Sequence, residues 1–294
     1  MLTHARGSVP PQGGTEPHAF LERRSIRGMS DAEKGTDPGL TYAGYLRLDE
    51  LLNLQTPRSE EHDEMLFIVI HQTYELWFKE MLHELRGAAH ALGSADAWRA
   101  AHRISRVRHI LKIAVAQVDV LETLTPLEFA SFRNRLATSS GFESAQFREL
   151  EALLGVRNSR LADLLPEPDA RARVHATAQQ PSLWDAVIAW LASSNHAVPA
   201  HLLKRDYAEQ YTGDEGLQDL LLTLYRQGGE VASMMELLVD IDEGLQEWRY
   251  RHVKMVERTI GRKMGTGGST GVEYLAASLH RPVFPDLWAI RSRM

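Results

Sequence analysis

The stretch Trp248-Arg-Tyr-Arg-His252-Val-Lys-Met-Val-Glu-Arg-Thr-Ile-Gly261 runs directly into Arg262-Lys-Met-Gly265-Thr266-Gly267-Gly268-Ser-Thr-Gly271. In its first half Leu245, Trp248, His252, Met255, Val256 and Thr259 recur at steps of three and four, which puts them on one stripe of a helix. The second half cannot extend that helix, because its closely spaced glycines each cost backbone entropy. The pattern predicts a long helix with a histidine on its inward face, then a loop that permits close backbone approach. Such a histidine is either a core residue with satisfied ring nitrogens or a ligand. Thr266 among its glycines is either part of a helix cap and tight turn or a residue brought against a ligand. A phosphate-loop reading fails, because the loop follows a helix and lacks both the Gly-Lys-[Ser/Thr] ending and the Rossmann spacing.

Working outward, helical periodicity continues from Gly216 to Gly261, with an expected break at Gly228-Gly229. Near the other end, Ser59-Glu-Glu-His-Asp-Glu is acidic, as a helix start prefers. The following Met65-Leu-Phe67-Ile-Val-Ile-His71-Gln-Thr-Tyr74-Glu-Leu-Trp77-Phe78 is apolar nearly all round, the mark of a helix buried on most sides. A third helix is predicted from Ala97 to Leu124, and a short one opens at Pro126, where proline suits the first helical position. Proline-bearing residues 155–180 read as a loop, Pro181 to Leu191 as a helix, Val198 to Tyr211 as irregular, and Val272 to Leu279 as a last helix. No period-two strand and no repeat is evident. The predicted class is therefore all-α: one large helical domain over residues 40–294, built on long antiparallel helices. It is preceded by an extension, residues 1–39, rich in Gly, Pro, Ser and charge and expected to be disordered.

Composition narrows the function. The 294 residues carry a net charge of −6 with the basic residues scattered, which argues against nucleic acid or an anionic membrane as partner. There is no cysteine, so disulfides, thiolate metal sites, iron–sulfur clusters and cysteine nucleophiles are excluded together. No window approaches the roughly twenty apolar residues of a membrane span, and the N-terminus shows no signal peptide. A cytoplasmic location is expected. A metal would have to be held by His, Asp or Glu, or by a prosthetic group.

Glu80-Met-Leu-His83 has the spacing of a di-iron carboxylate motif but no second copy to complete it. His102 and His109, set among Arg99, Arg103, Arg106 and Arg108, read as a solvated basic face. His71 shares a buried face with Phe67, and a buried imidazole needs a partner for each ring nitrogen, either in the core or on a ligand. Arg133, on the helix that also carries Phe129, answers either a carboxylate or phosphate ligand or an ordinary acidic side chain.

Taken together, Leu40-Thr-Tyr-Ala-Gly-Tyr-Leu46, Asp63 through Phe78, Phe132-Arg133 with Ser140-Gly141-Phe142, and Trp248-Arg-Tyr-Arg-His252 running to Gly265-Thr-Gly-Gly268 resemble the tryptophan 2,3-dioxygenase family. The likeness covers nearly everything from Leu40 onward. It implies an all-α fold with b-type haem buried between the long helices, ferrous in the active form, and O2 as co-substrate. The implied reaction inserts O2 across the indole 2,3-bond of L-tryptophan to give N-formyl-L-kynurenine, the first step of tryptophan degradation. The implied assembly is a homotetramer, a dimer of dimers. Carried over by position, His252 is the proximal haem ligand, and His71 meets the indole nitrogen from the other side. Phe67 packs on the indole, with Ile68, Val69 and Ile70 of the same string also placed in the substrate site. Phe129 lines the pocket, where some bacterial members have tyrosine. Arg133 pairs with the substrate carboxylate, and Thr266 holds the amino-acid end. Tyr42, Tyr45 and Leu46 reach a neighbouring subunit's site. Two rivals remain: a related haem enzyme acting on another indole, and a non-catalytic haem carrier or sensor, which would have no need for Arg133 or Thr266.

Overall fold

The computed structural model describes residues 39–136, 143–261 and 279–294. Every regular element among them is helical. The chain divides into two compact units, residues 1–52 and 53–294. The expected disorder before residue 39, the Ser140-Gly141-Phe142 string and the helix predicted from Val272 fall outside the described residues.

The first unit contributes two short helices, α1 (Tyr42–Leu46) and α2 (Leu48–Leu51). Thr41 caps α1 by accepting from the Gly44 N–H at 3.1 Å. Arg47 takes the left-handed conformation between them, at φ 52°. Neither helix contains a buried residue, and Tyr42 and Tyr45 are 76% and 70% exposed.

The second unit is built on three long helices: α3 (Glu64–Gly93), α4 (Ala97–Leu121) and, far along the chain, α11 (Gly229–Ile260). α3 buries Ile70, Tyr74, Phe78, Met81, Leu82, Leu85, Ala88, Ala91 and Leu92, steps of three and four that make one stripe. Asp96 caps α4 by accepting from the Arg99 N–H, and the tight connection turns α4 back along α3. Two bonds fix their antiparallel register: Tyr74 donates to the Ala114 carbonyl at 2.9 Å, and the Gln117 amide donates to the Ile70 carbonyl at 3.1 Å. α11 runs alongside α4 in the same direction. Arg108 pairs with Asp240 at 3.1 Å, and Arg251 with Asp119 at 2.5 Å. Between these pairs Gly244 lies against Leu111, where a Cβ would stand 3.5 Å from its side chain. α3 is thus antiparallel to both, and it meets α11 through aromatic side chains.

Between α4 and α11 the chain forms α5 (Pro126–Arg133), α6 (Ala145–Leu154), α7 (Ser159–Asp163), α8 (Pro168–Ala178), α9 (Leu183–Ser193), a 3-10 turn at Leu202–Lys204 and α10 (Glu215–Gln227). Thr125 and Glu128 cap α5 reciprocally with Pro126 at its start, and Ser182 and Asp185 do the same for α9. α12 (Pro285–Ala289) and a terminal 3-10 turn follow α11. Two fully buried carboxylates fasten this C-terminal piece. Asp242 on α11 accepts from the N–H groups of Val283 and Phe284 and from the Trp288 indole at 2.8, 3.0 and 2.9 Å. Asp286 accepts from the Tyr211 hydroxyl, the Asp214 N–H and the Gln218 amide at 2.6, 2.8 and 3.0 Å. With these donors in place, burial of either carboxylate leaves no unpaired acceptor.

The structure corrects the sequence reading in four places. α3 starts at Glu64 rather than near Ser59, because the buried Glu64 carboxylate reaches back to the N–H groups of Arg58 and Ser59 and holds that segment as a loop. α4 ends at Leu121, three residues early. Residues 155–180, read as loop, contain α7 and α8; Pro168 opens α8 instead of forbidding it, and only Ala170 and Val174 on that helix are buried, too few to show a stripe. The basic face of α4 is not all solvated. Arg106 pairs with the buried Glu84, and Arg103 donates to the Gly87 carbonyl, so both lie back on α3. The break expected at Gly228 is present, with φ 73° and ψ −157° between α10 and α11.

Candidate active site

α3, α5 and α11 each contribute one part of the site. On α3, Phe67 and His71 lie one turn apart with ring centroids 4.1 Å from each other. α5 brings Phe129 to 5.6 Å and Phe132 to 5.7 Å from Phe67, and these two rings meet edge to face at 5.4 Å. Phe132 is fully buried, whereas Phe67 and Phe129 are half-buried, so the cluster has a core side and an open side. Arg133 closes α5, half-buried and next to Phe132.

The His71 ring has a defined protonation state. Its Nδ1 lies 2.7 Å from the Phe67 carbonyl oxygen. A carbonyl can only accept, so Nδ1 carries the proton. In the neutral ring Nε2 is then left with a lone pair. Burial pushes the imidazole below its usual pKa, against the opposing effects of the Phe67 carbonyl and the Glu75 charge. At neutral pH His71 therefore presents a hydrogen-bond acceptor.

α11 supplies Trp248 and His252, again one turn apart, with rings stacked at 5.2 Å and only 6° between their planes. Burial, then the nearness of His71, then the Arg148 charge hold the His252 pKa down to about 4. The two imidazoles lie on α3 and α11, which meet through the rings of Tyr74, Phe78 and Trp248. Below them a buried ion network joins α6 to α11: Glu151 accepts from Arg148 at 2.5 Å and from Arg249 at 2.7 Å. Phe147 and the Arg148–Glu151–Arg249 network had no role in the sequence reading, and Trp248 entered it only as a member of the inward stripe. The one available signal was the spacing of four between Trp248 and His252.

The remaining expected residues are placed as follows. Ile68 is half-buried, Val69 is 42% exposed, and Ile70 is a core residue whose carbonyl serves Gln117. Of that string, Phe67 and His71 are the residues brought to the Phe129 ring cluster. Tyr42, Tyr45 and Leu46 lie exposed in the first unit. Thr266 and its glycines lie outside the described residues.

The lowered imidazole pKa values carry a stability consequence. In the unfolded chain both histidines titrate near 6.5, and in the folded chain they stay neutral to lower pH. Between about 6.5 and about 4 the unfolded chain binds more protons. Stability of the haem-free protein is therefore fully present above that window and is lost as pH falls through it. For His252 the loss is about 3 kcal/mol as an upper figure, since its ring retains some exposure. Urea titrations from pH 7 to pH 4 measure this. The wild-type midpoint should fall more steeply than that of His252→Ala, and parallel curves would contradict the assignment.

Among the described residues no group of three or more His, Asp or Glu side chains is placed to hold a metal ion. The available donor is a neutral imidazole in an aromatic setting, a group that could ligate a metal carried by a prosthetic group. The fold and site together define an all-helical protein with two neutral imidazoles and an arginine around an aromatic cluster. The sequence model of the tryptophan 2,3-dioxygenase family matches residues 26–197 and 166–294, and the chain belongs to that family. It is 52% identical over 255 residues to a tryptophan 2,3-dioxygenase of Herpetosiphon aurantiacus, covering 86% of this chain and 98% of that protein. It is 52% identical over 265 residues to the enzyme of that name from Anaeromyxobacter sp. strain K, covering 88% and 100%. The Caulobacter vibrioides protein of the same name is 44% identical over 259 residues, 87% of this chain and 98% of that one. No described helix is long and apolar enough to cross a membrane.

Proposed function

We propose that the protein oxidises L-tryptophan with O2 to N-formyl-L-kynurenine, using a b-type haem held by His252. The observation that carries this reading is the pair of imidazoles with different fixings. His252 is held neutral by burial, the form that ligates iron, and His71 has Nδ1 committed and Nε2 free to accept. Bound ferrous haem would supply the site at which O2 is bound and activated.

The chain's own residues do the rest. Phe67, with Phe129 and Phe132 beside it, offers an apolar surface for the indole and keeps water from it. His71 Nε2 accepts the indole N–H and so sets which edge of the substrate faces the oxygen. It acts as a positioning group, since direct addition to the indole ring needs no base. Arg133 offers a planar pair of donors to the substrate carboxylate. Thr266 is assigned the ammonium and carboxylate end, and Ile68, Val69 and Ile70 the remainder of the α3 wall. Phe129 has no hydroxyl, so it contributes shape alone. Both oxygen atoms enter the product, so no leaving group needs an exit. The exposed Tyr42, Tyr45 and Leu46 suit insertion into a neighbouring copy within a dimer-of-dimers tetramer, because neither α1 nor α2 contains a buried residue.

The test is direct. Ferrous, haem-loaded protein mixed with L-tryptophan in air should generate the absorbance of N-formylkynurenine. Oxidation of other indoles without this product would favour the rival enzyme, and haem uptake without any oxidation would favour a carrier. His71→Ala should retain activity at about a tenth of the wild-type kcat/KM, the size of one lost hydrogen bond. A loss of a hundredfold or more would mark proton transfer instead.

A further inference from the structure

His71 and His252 are held in different ways. The His71 ring is tied by its Nδ1 to the Phe67 carbonyl. Among the described residues nothing hydrogen-bonds the His252 ring. A metal-bound histidine usually has its second nitrogen tied to a carbonyl or carboxylate, which sets the plane of the ring. A histidine ring turns about its last side-chain torsion, which is broad and soft, so its plane depends on the contacts around it.

We infer that Trp248 is a positioning residue, fixing the plane of the His252 imidazole by parallel, offset stacking. The inference rests on the reading of His252 as the haem ligand. Helix geometry sets up the contact, because residues four apart on α11 lie one above the other. The rings are 6° from parallel. Trp248 is itself held. Phe147 lies against it at 4.7 Å, and Phe78 and Tyr74 meet it edge-on at 6.0 and 6.2 Å, with interplanar angles of 85° and 75°. Tyr74 is in turn fixed to α4 through its hydroxyl on the Ala114 carbonyl. The orientation of the imidazole is thus referred through two aromatic contacts to the backbone of a neighbouring long helix. A tryptophan that merely filled space would show no preference for a parallel arrangement with one particular ring.

The experiment compares Trp248→Leu, which removes the flat face, with Trp248→Phe, which keeps one, and with Phe284→Leu, a comparable loss in the same core away from Trp248. Each haem-loaded protein is examined for the iron–histidine stretching band of the ferrous form by resonance Raman, and for the rate of haem transfer to excess apomyoglobin. Trp248→Leu should shift or broaden the band and speed haem loss by about two- to tenfold, the factor that one aromatic pair is worth. Trp248→Phe should stay near wild type, and Phe284→Leu should lower Tm while leaving band and rate unchanged. An unaltered band and rate in Trp248→Leu would overturn the inference, as would equal changes in Phe284→Leu. Should the leucine variant not accumulate, Trp248→Met fills more of the volume without a flat face and is read by the same two outcomes. His252→Ala separates the two levels: a wild-type band that survives this substitution would remove the ligand assignment itself, not the role of Trp248.

Discussion

His252→Ala yields a folded protein that purifies without a Soret band and has no measurable turnover. The fold should survive, because α11 is held by its buried Leu238, Ile241, Leu245 and Val253 and by ion pairs to α4, and Trp248 keeps its contacts with Phe147, Phe78 and Tyr74 when the imidazole is removed. The cofactor should not. The site offers a second imidazole, but His71 is the residue proposed to meet the substrate, its ring lying against Phe67 and Phe67 beside Phe129. A neutral nitrogen donor is needed for the iron, and burial supplies one at position 252 across the whole physiological pH range, with a pKa of about 4. Absorbance at the Soret maximum with circular dichroism on the same sample decides the matter. A helical spectrum with the band intact would reject the ligand assignment.

Arg133→Lys produces the next largest change. The substrate's carboxylate is planar, and the guanidinium meets it with two donors at once, whereas an ammonium offers a point charge. In the half-buried setting at the end of α5, losing the paired donors of a charge-assisted contact costs about 2–5 kcal/mol, so kcat/KM for L-tryptophan should fall by about thirtyfold or more. The loss belongs mainly in KM, because the contact is made in the ground state as well as in the transition state. Tryptamine has no carboxylate, so its slow oxidation should be nearly indifferent to the substitution. Steady-state kinetics on the two substrates give the answer, and an equal loss on both would show that Arg133 supports the fold and not the carboxylate.

Much of this architecture was legible in the chain. The three long helices announce themselves by their stripes, α5 by Thr125-Pro126 and Glu128, and the break before α11 by Gly228-Gly229. What escaped was set by distant partners. α8 has a weak stripe because it covers the core with two buried side chains only. The start of α3 was misplaced because Glu64 reaches backward to Ser59, a contact that no propensity scale contains. Arg103 and Arg106 looked like solvated charge because Gly87 and Glu84, which receive them, lie on another helix.

The sequence by itself determined that three long helices carry the fold, which residues form their inward stripes, and which family the strings belong to, because periodicity, caps and breaks act within a few residues. Only the tertiary structure decided that His71 presents Nε2, that burial keeps His252 neutral, and that the Trp248 ring stacks parallel to His252. Those facts depend on how α3, α5 and α11 are packed, and on the burial that packing creates. Burial moves a pKa and immobilises a ring through neighbours that are remote in the chain.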